Sequence, residues 1–147
     1  MNANLFHQLL STDNNIILTL IRIVLGVVVF PHGAQKLFGW FGGHGWNGSM
    51  NFFKNVVGVP YLLGALSILT ESVLAVFLVA GLFTRVAALA ILINMIVAAT
   101  MHFKNGFFMN WNGNSKGEGY EFHLLTFALS IALIIGGGGM FSLDSLL

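Results

Sequence analysis

Four apolar stretches divide the chain, and each is about as long as a membrane crossing requires. They cover residues 16–38, 60–83, 86–102 and 122–138, and a helix of about 20 mostly apolar residues spans a bilayer. Pro60 stands at the head of the second stretch, which suits the first position of a helix. The pattern predicts an all-α fold: a four-transmembrane-helix bundle that forms a single integral-membrane domain over residues 1–147, with the lipid bilayer as its surroundings.

Two long connections, rich in glycine, asparagine and aromatic residues, join the first helix to the second and the third to the fourth. Because successive helices cross in opposite directions, both connections lie on one membrane face, here called the loop face, and both termini lie on the opposite, terminal face. The tryptophans of these connections fall where interfacial aromatic belts occur. Four lysines lie on the loop face against two arginines elsewhere, which favours a cytoplasmic position for the long loops.

Composition supports a membrane protein and excludes several functions. Hydrophobic residues make up 56% of the chain and charged residues 7%, whereas soluble domains carry about 25% charged residues. The net charge of +1 offers no basic patch, so nucleic acid is not an expected partner. The absence of cysteine from the sequence excludes disulfides, thiolate catalysis and cysteine-ligated metal centres.

Polar residues inside the apolar stretches are the candidates for function, because an ionisable side chain at mid-bilayer costs about 2.5–3.5 kcal/mol and usually faces the interior of the bundle. Glu71 lies about 18 Å from the terminal face, near the membrane centre. Each helix carries small or polar residues three or four positions apart, a spacing that predicts close packing around a polar interior. These stripes are Arg22, Gly26, Gly33 and Lys36; Gly64, Ser67, Glu71 and Ala75; Ala90, Asn94 and Ala98; and His123, Thr126, Ser130 and Gly137.

Depth sorts the polar groups into layers. Arg22 and Asn94 are predicted about a third of the way in from the terminal face, with Glu71 deeper. Glu71 leans toward the loop face, as side chains lean toward the N-terminus of their own helix. It should therefore reach His32 or Lys36 more readily than it reaches Arg22. The titratable groups toward the loop face are His32, Lys36, His102, Glu121 and His123.

Structural interpretations of these residues stay open. Arg22 could snorkel to the headgroups of the terminal face, and Glu71 could be a protonated, hydrogen-bonded structural residue. The histidines show no paired motif such as HExxH, so the sequence predicts no metal site.

The segments RIVLGVVVFPHGAQKLFG, TESVLAVFLVAGLFTR, HFKNGFF and GGGGMFSLD resemble the DoxX family of small bacterial membrane proteins over nearly the whole chain. The resemblance implies a multi-pass protein of the bacterial inner (plasma) membrane. It also implies a link to redox or oxidative-stress metabolism, since some relatives are the membrane subunit of thiosulfate:quinone oxidoreductase. The family-typical positions are Arg22, His32, Lys36, Glu71 and Arg85. The four glycines near the C-terminus depart from the Gly-Pro-Gly type of turn common in relatives.

Two functional hypotheses follow, and the sequence leaves open whether the protein is an enzyme. In the first, His32 and Lys36 bind the head group of a quinone while Glu71 or a histidine moves a proton, and a soluble redox partner protein or a bound cofactor supplies the electrons. Glu71, His32 and Lys36 are then the predicted catalytic residues. The predicted ligand-binding residues are Arg22, Asn94, Arg85, His102, Glu121 and His123.

In the second hypothesis the polar interior serves small-solute or proton transport, or the protein is a membrane scaffold for soluble redox partners. The glycine-rich helix faces add a homodimer as an expected assembly.

Overall fold

The structure, a computed structural model, describes residues 3–147, with side chains described from residue 5 onward. Its main helices in the described part of the chain are α1 (Ala3–Leu10), α2 (Ile16–Phe38), α3 (Gly45–Phe52), α4 (Tyr61–Ala80), α5 (Thr84–His102) and α6 (Glu121–Gly136), with short 3-10 and π-helical turns between and after them. Helices α2, α4 and α5 are long and apolar enough to cross a membrane, and α6 is a shorter apolar helix of 16 residues. The predicted all-α fold and the four-helix membrane bundle are confirmed.

The observed helix limits differ from the predicted ones at the turns. Helix α4 ends at Ala80 and not at residue 83, because Gly81 and Phe83 adopt left-handed conformations with φ of 70° and 47°, which terminate a helix. Helix α5 begins at Thr84, two residues earlier than predicted, and α6 ends before Gly137, whose φ is 78°. The short helices α1 and α3 were not predicted, since eight residues are too few for a span.

Close contact between α2 and α4 organises the bundle. A Cβ atom on Gly33 would lie 2.2 Å from the carbonyl carbon and oxygen of Glu71, and one on Gly26 would lie 2.7 Å from the carbonyl oxygen of Ala75. Small residues of this kind let the backbones of membrane helices approach closely. The contact brings the middle of α4 directly against α2.

The apolar core lies where the four long helices meet. Its fully buried side chains include Leu25 and Val29 of α2, Leu78 of α4 and Ile91 of α5, with Leu133 from α6. The outward faces of the same helices carry large exposed apolar side chains, among them Ile17, Leu62, Ile93 and Leu125. An apolar exterior around a packed interior is the arrangement that a lipid bilayer requires.

Candidate functional site

A buried carboxylate joins three helices in the interior of the bundle. Glu71 of α4 is 2% exposed. Its Oε2 accepts a hydrogen bond of 2.5 Å from Lys36 Nζ of α2, and its Oε1 accepts one of 2.8 Å from Asn94 Nδ2 of α5. Both carboxylate oxygens are therefore satisfied, as a buried charge requires.

The backbone of α4 changes its winding at this residue. Residues Thr70–Leu74 form a π-helical turn, a feature that is rare and often occurs at functional sites. Gly33 packs against the backbone of Glu71 itself, and Lys36 follows one turn later on the same face of α2. The π-turn and the glycine contact together set the position of the carboxylate relative to Lys36.

Asn94 lies in the layer of Glu71 and not in that of Arg22, which corrects the depth predicted for it. Because α5 begins at Thr84, Asn94 is about 15 Å along its helix, and Glu71 is about 14 Å from the end of α4 at Ala80. The prediction counted from residue 86 and placed the side chain too close to the terminal face.

Lys36 links the buried carboxylate to the outside of the bundle. Its side chain is 32% exposed, and its ammonium group lies 6.0 Å from the centre of the Phe53 ring, within the range of a cation–π contact. An ammonium group has three N–H donors, so donors remain after the bond to Glu71. Lys36 can therefore bind a further acceptor without releasing the carboxylate.

A pair of histidines lies between the carboxylate and the loop face. The rings of His102 on α5 and His123 on α6 have centroids 5.1 Å apart. His123 is 7% exposed, and its Nδ1 atom has no hydrogen-bond partner within the described residues. His32 lies beside the same group, with its ring centroid 6.0 Å from that of Phe122. Within residues 3–147 no three His, Asp or Glu side chains are placed to hold a metal ion.

Glu121 faces the second long connection and not the histidines. Its Oε1 accepts hydrogen bonds from the backbone N–H of Met109 at 3.0 Å and from Trp111 Nε1 at 2.9 Å. The neighbouring Glu118 accepts a bond of 2.8 Å from the N–H of Asn110. These two carboxylates order the connection above the site.

Arg22 is buried at 2% exposure and does not snorkel to the membrane surface. Its guanidinium donates to the carbonyl oxygens of Leu78 at 3.1 Å and Gly138 at 2.7 Å, and also to those of Val79 and Phe141. A cation there satisfies the free carbonyls at the end of α4 and complements the helix dipole.

Arg85 acts similarly at the end of α6. It donates to the carbonyl oxygens of Ser11 at 3.0 Å and Ile135 at 2.8 Å, and to that of Ile134. Both arginines are engaged by backbone carbonyls on the terminal face, and neither lies in the cluster around Glu71.

Asp144 was missed by sequence reasoning. Its carboxylate accepts hydrogen bonds from the backbone N–H groups of Phe83 at 2.6 Å and Thr84 at 2.8 Å, which caps the start of α5. An acidic cap normally lies just before its helix, whereas Asp144 is 60 residues away in sequence. No local pattern could have identified it.

An apolar layer separates the two polar regions of the bundle. Between Arg22 and the Glu71 cluster, α2 contributes Leu25 and Val29 and α4 contributes Ala75 and Leu78, all at 0–1% exposure. On α6 the hydroxyl of Ser130 is buried at a similar height, about 9 Å from the helix end at Gly136, and the Glu71 cluster lies on the loop-face side of these residues.

A groove of about 250 Å³ opens on the surface between α2 and α4. Its lining is almost entirely apolar. It includes Ser72, which follows Glu71 in the sequence, and Leu37, which follows Lys36. The remaining lining residues are Phe30, Phe38, Val73, Val76 and Phe77.

Comparison with known families identifies the chain. The DoxX family model matches residues 17–104, which is more than half of the sequence and includes Lys36, Glu71, Asn94 and His102. No curated protein and no solved structure matches it. Together with the apolar helices, the match shows that the chain is a multi-pass membrane protein that belongs to the DoxX family.

Proposed function

We propose that this DoxX-family protein binds the head group of a quinone beside the Lys36–Glu71 pair and exchanges protons with it in a redox reaction. The observation that carries the proposal is a buried carboxylate held at 2.5 Å by a lysine that is itself one-third exposed. A buried ionisable pair inside a membrane bundle is costly to insert and commonly serves proton or ligand chemistry.

The residues present suit a quinone. The free N–H donors of Lys36 match the carbonyl oxygens of the head group. The groove on the surface between α2 and α4, lined by Leu37 and Ser72 among others, is apolar, as a prenyl tail requires. His32 lies on the same helix one turn from Lys36, where it is available as a second donor.

The division of chemistry follows from what the chain contains. A bound quinone accepts two electrons and two protons when it is reduced to a quinol. Glu71 takes up and delivers these two protons one after the other, while Lys36 orients the head group and compensates the charge of the carboxylate after each delivery. The electrons would come from a soluble redox partner protein at the loop face. In this proposal the protein is the membrane subunit of an oxidoreductase.

Transport of a small solute or proton across the membrane receives less support. A route through the bundle would have to pass the apolar layer of Leu25, Val29 and Leu78 and then the side chain of Arg22, whose hydrogen bonds close the terminal face. A site open to one side suits a reaction with a lipid-soluble substrate better than permeation.

Mass spectrometry of organic extracts tests the proposal. The protein is purified in mild detergent from quinone-containing membranes, and its absorption spectrum is recorded first. We expect a stoichiometric quinone in the parent protein, loss of the quinone in Lys36→Gln, and retention in Lys54→Gln, which alters an exposed lysine of the loop face. Lipid alone in all three extracts, with no chromophore, would refute quinone binding and favour transport or a scaffold role.

A further inference from the structure

The unpartnered nitrogen of His123 is the feature that the proposed chemistry leaves unused. Three buried side-chain atoms lack a hydrogen-bond partner within residues 3–147: Thr84 Oγ1, Ser130 Oγ and His123 Nδ1. Of these groups, the imidazole alone takes up and releases protons near neutral pH. A buried polar atom without a partner is destabilising unless it has a function or a bound water.

The surroundings of His123 place it between the buried carboxylate and the loop face. The titratable groups whose charges act on it are His32 from α2, Glu71 from α4 and His102 from α5, and the His102 ring is the one in contact with it. Glu121, on its own helix, is turned to the second connection by its bonds to Met109 and Trp111. The polar neighbours of His123 thus come from all the long helices around it.

His102 lies between His123 and the loop face. It lies at the last position of α5 and is only partly buried. Its Nδ1 is 3.1 Å from the carbonyl oxygen of Glu118 in the second connection. That contact fixes the orientation of the ring. Nε2 has no hydrogen-bond partner among the described residues, so this edge of the imidazole remains available for exchange with His123 or with water.

We propose that His102 and His123 form a proton-exchange path between water at the loop face and the buried Glu71. The path deepens the proposed function, because a carboxylate that has delivered a proton to a quinone must be protonated again. Lys36 also reaches the outside of the bundle, but in this proposal it stays charged as the partner of the carboxylate, and the histidine pair carries the proton.

The proton balance is simple. A proton from water binds His102, passes to His123 and is then relayed by water to the Glu71 carboxylate, and each imidazole returns to its neutral form. Rings with centroids 5.1 Å apart lie within reach of transfer through one bridging water. In quinol oxidation the same steps run in the opposite direction.

Exchange measured by nuclear magnetic resonance tests the part of the path from water through His102 to His123 without any quinone. The protein is labelled with ¹⁵N-histidine in lipid nanodiscs, and the His123 signal is assigned from its loss in His123→Gln. We expect rapid exchange of the His123 imidazole proton with water. His102→Phe should slow this exchange about 100-fold or more, since phenylalanine keeps an aromatic ring against His123 but has no group that can accept or donate a proton. His44→Phe, which alters a histidine of the first connection, should leave the rate unchanged.

Two results would overturn the path. One is His123 exchange that is as fast in His102→Phe as in the parent protein. The other is a His123 proton that is already protected for hours in the parent. If His102→Phe does not fold, His102→Gln serves instead, because its amide can still reach the carbonyl of Glu118.

Kinetics separate failure of the path from failure of quinone binding. With a quinone substrate and reconstituted protein, His123→Gln should lower kcat about 100-fold and leave KM unchanged, and added imidazole should restore part of kcat. Lys36→Gln should raise KM. If no quinone reacts but exchange at His123 depends on His102, the path stands and the substrate is wrong. If quinone reacts normally in His123→Gln, the path is wrong and the substrate stands.

Discussion

Substitution of Gly33 by alanine is the sharpest test of how the Glu71 site is built. The added Cβ would lie 2.2 Å from the carbonyl carbon and oxygen of Glu71 and 2.4 Å from the backbone nitrogen of Ser72. Ordinary contact begins near 3.4 Å, so α2 and α4 must separate by about 1.2 Å at this point. Backbone atoms cannot rotate aside as a side chain can. We therefore expect a loss of about 3 kcal/mol in the free energy of unfolding, the upper part of the range for overpacked sites.

Gly64→Ala is the matched control, since it adds the same methyl group to α4. The nearest atoms there belong to the flexible side chains of Phe53 at 3.1 Å and Met50 at 3.3 Å, so we expect a change of less than about 1 kcal/mol. Unfolding is followed by circular dichroism while sodium dodecyl sulfate is added to protein in dodecyl maltoside micelles. Equal stability of the two variants would refute the close approach of α2 to the π-turn.

The same separation should weaken the ion pair. Gly33 precedes Lys36 by one turn of α2, so displacement of the helix lengthens the 2.5 Å bond between Lys36 and Glu71. Gly33→Ala should therefore also lose the bound quinone in extracts of the folded fraction. Retained quinone in a destabilised variant would show that the site does not depend on this contact.

Three further predictions concern the polar residues. Glu71→Gln keeps the shape of the side chain and an acceptor for Lys36, so it should lower the free energy of unfolding by only about 1–2 kcal/mol but abolish function. Full complementation of a deletion strain by this variant would show that the role of Glu71 is only structural. Arg22→Met leaves the carbonyls at the end of α4 without their donor and should cost about 3 kcal/mol or more in the same detergent titration; an unchanged titration midpoint would contradict the capping role. Glu121→Ala removes the acceptor of Trp111 Nε1. In a background with the other tryptophans replaced, the fluorescence anisotropy of Trp111 should therefore fall. An unchanged anisotropy would show that the carboxylate does not order the connection.

The two arginines show how a membrane fold uses charge without placing it at a site. Arg22 and Arg85 each bind the carbonyls that end an apolar helix, and an unsatisfied carbonyl is especially costly in lipid. Their positions in family-typical segments are therefore explained by helix termination. Their predicted role as ligand-binding residues remains a prediction, and their observed bonds give it no geometric support.

The sequence by itself determined the architecture, because the membrane imposes it. Backbone groups in lipid must bond within their own helix, so apolar runs of sufficient length specify the number and order of the long helices. The limits of α2 were predicted to the residue. A partnership of Glu71 with His32 or Lys36 was favoured over one with Arg22 because side chains lean toward the N-terminus of their helix, and the structure contains the contact with Lys36.

Tertiary structure alone decided which polar groups meet at atomic distance. The contact of Asn94 with Glu71 depended on a helix start two residues earlier than predicted, and those two residues shift a side chain by about 3 Å. The bonds of Arg22 to Gly138 and of Asp144 to Thr84 join residues 116 and 60 positions apart. Apolar periodicity specifies the face that a helix buries but not the height at which neighbouring helices pack. The relative height of neighbouring helices follows from the glycine contacts and the turns, and this height determines which charged side chains pair.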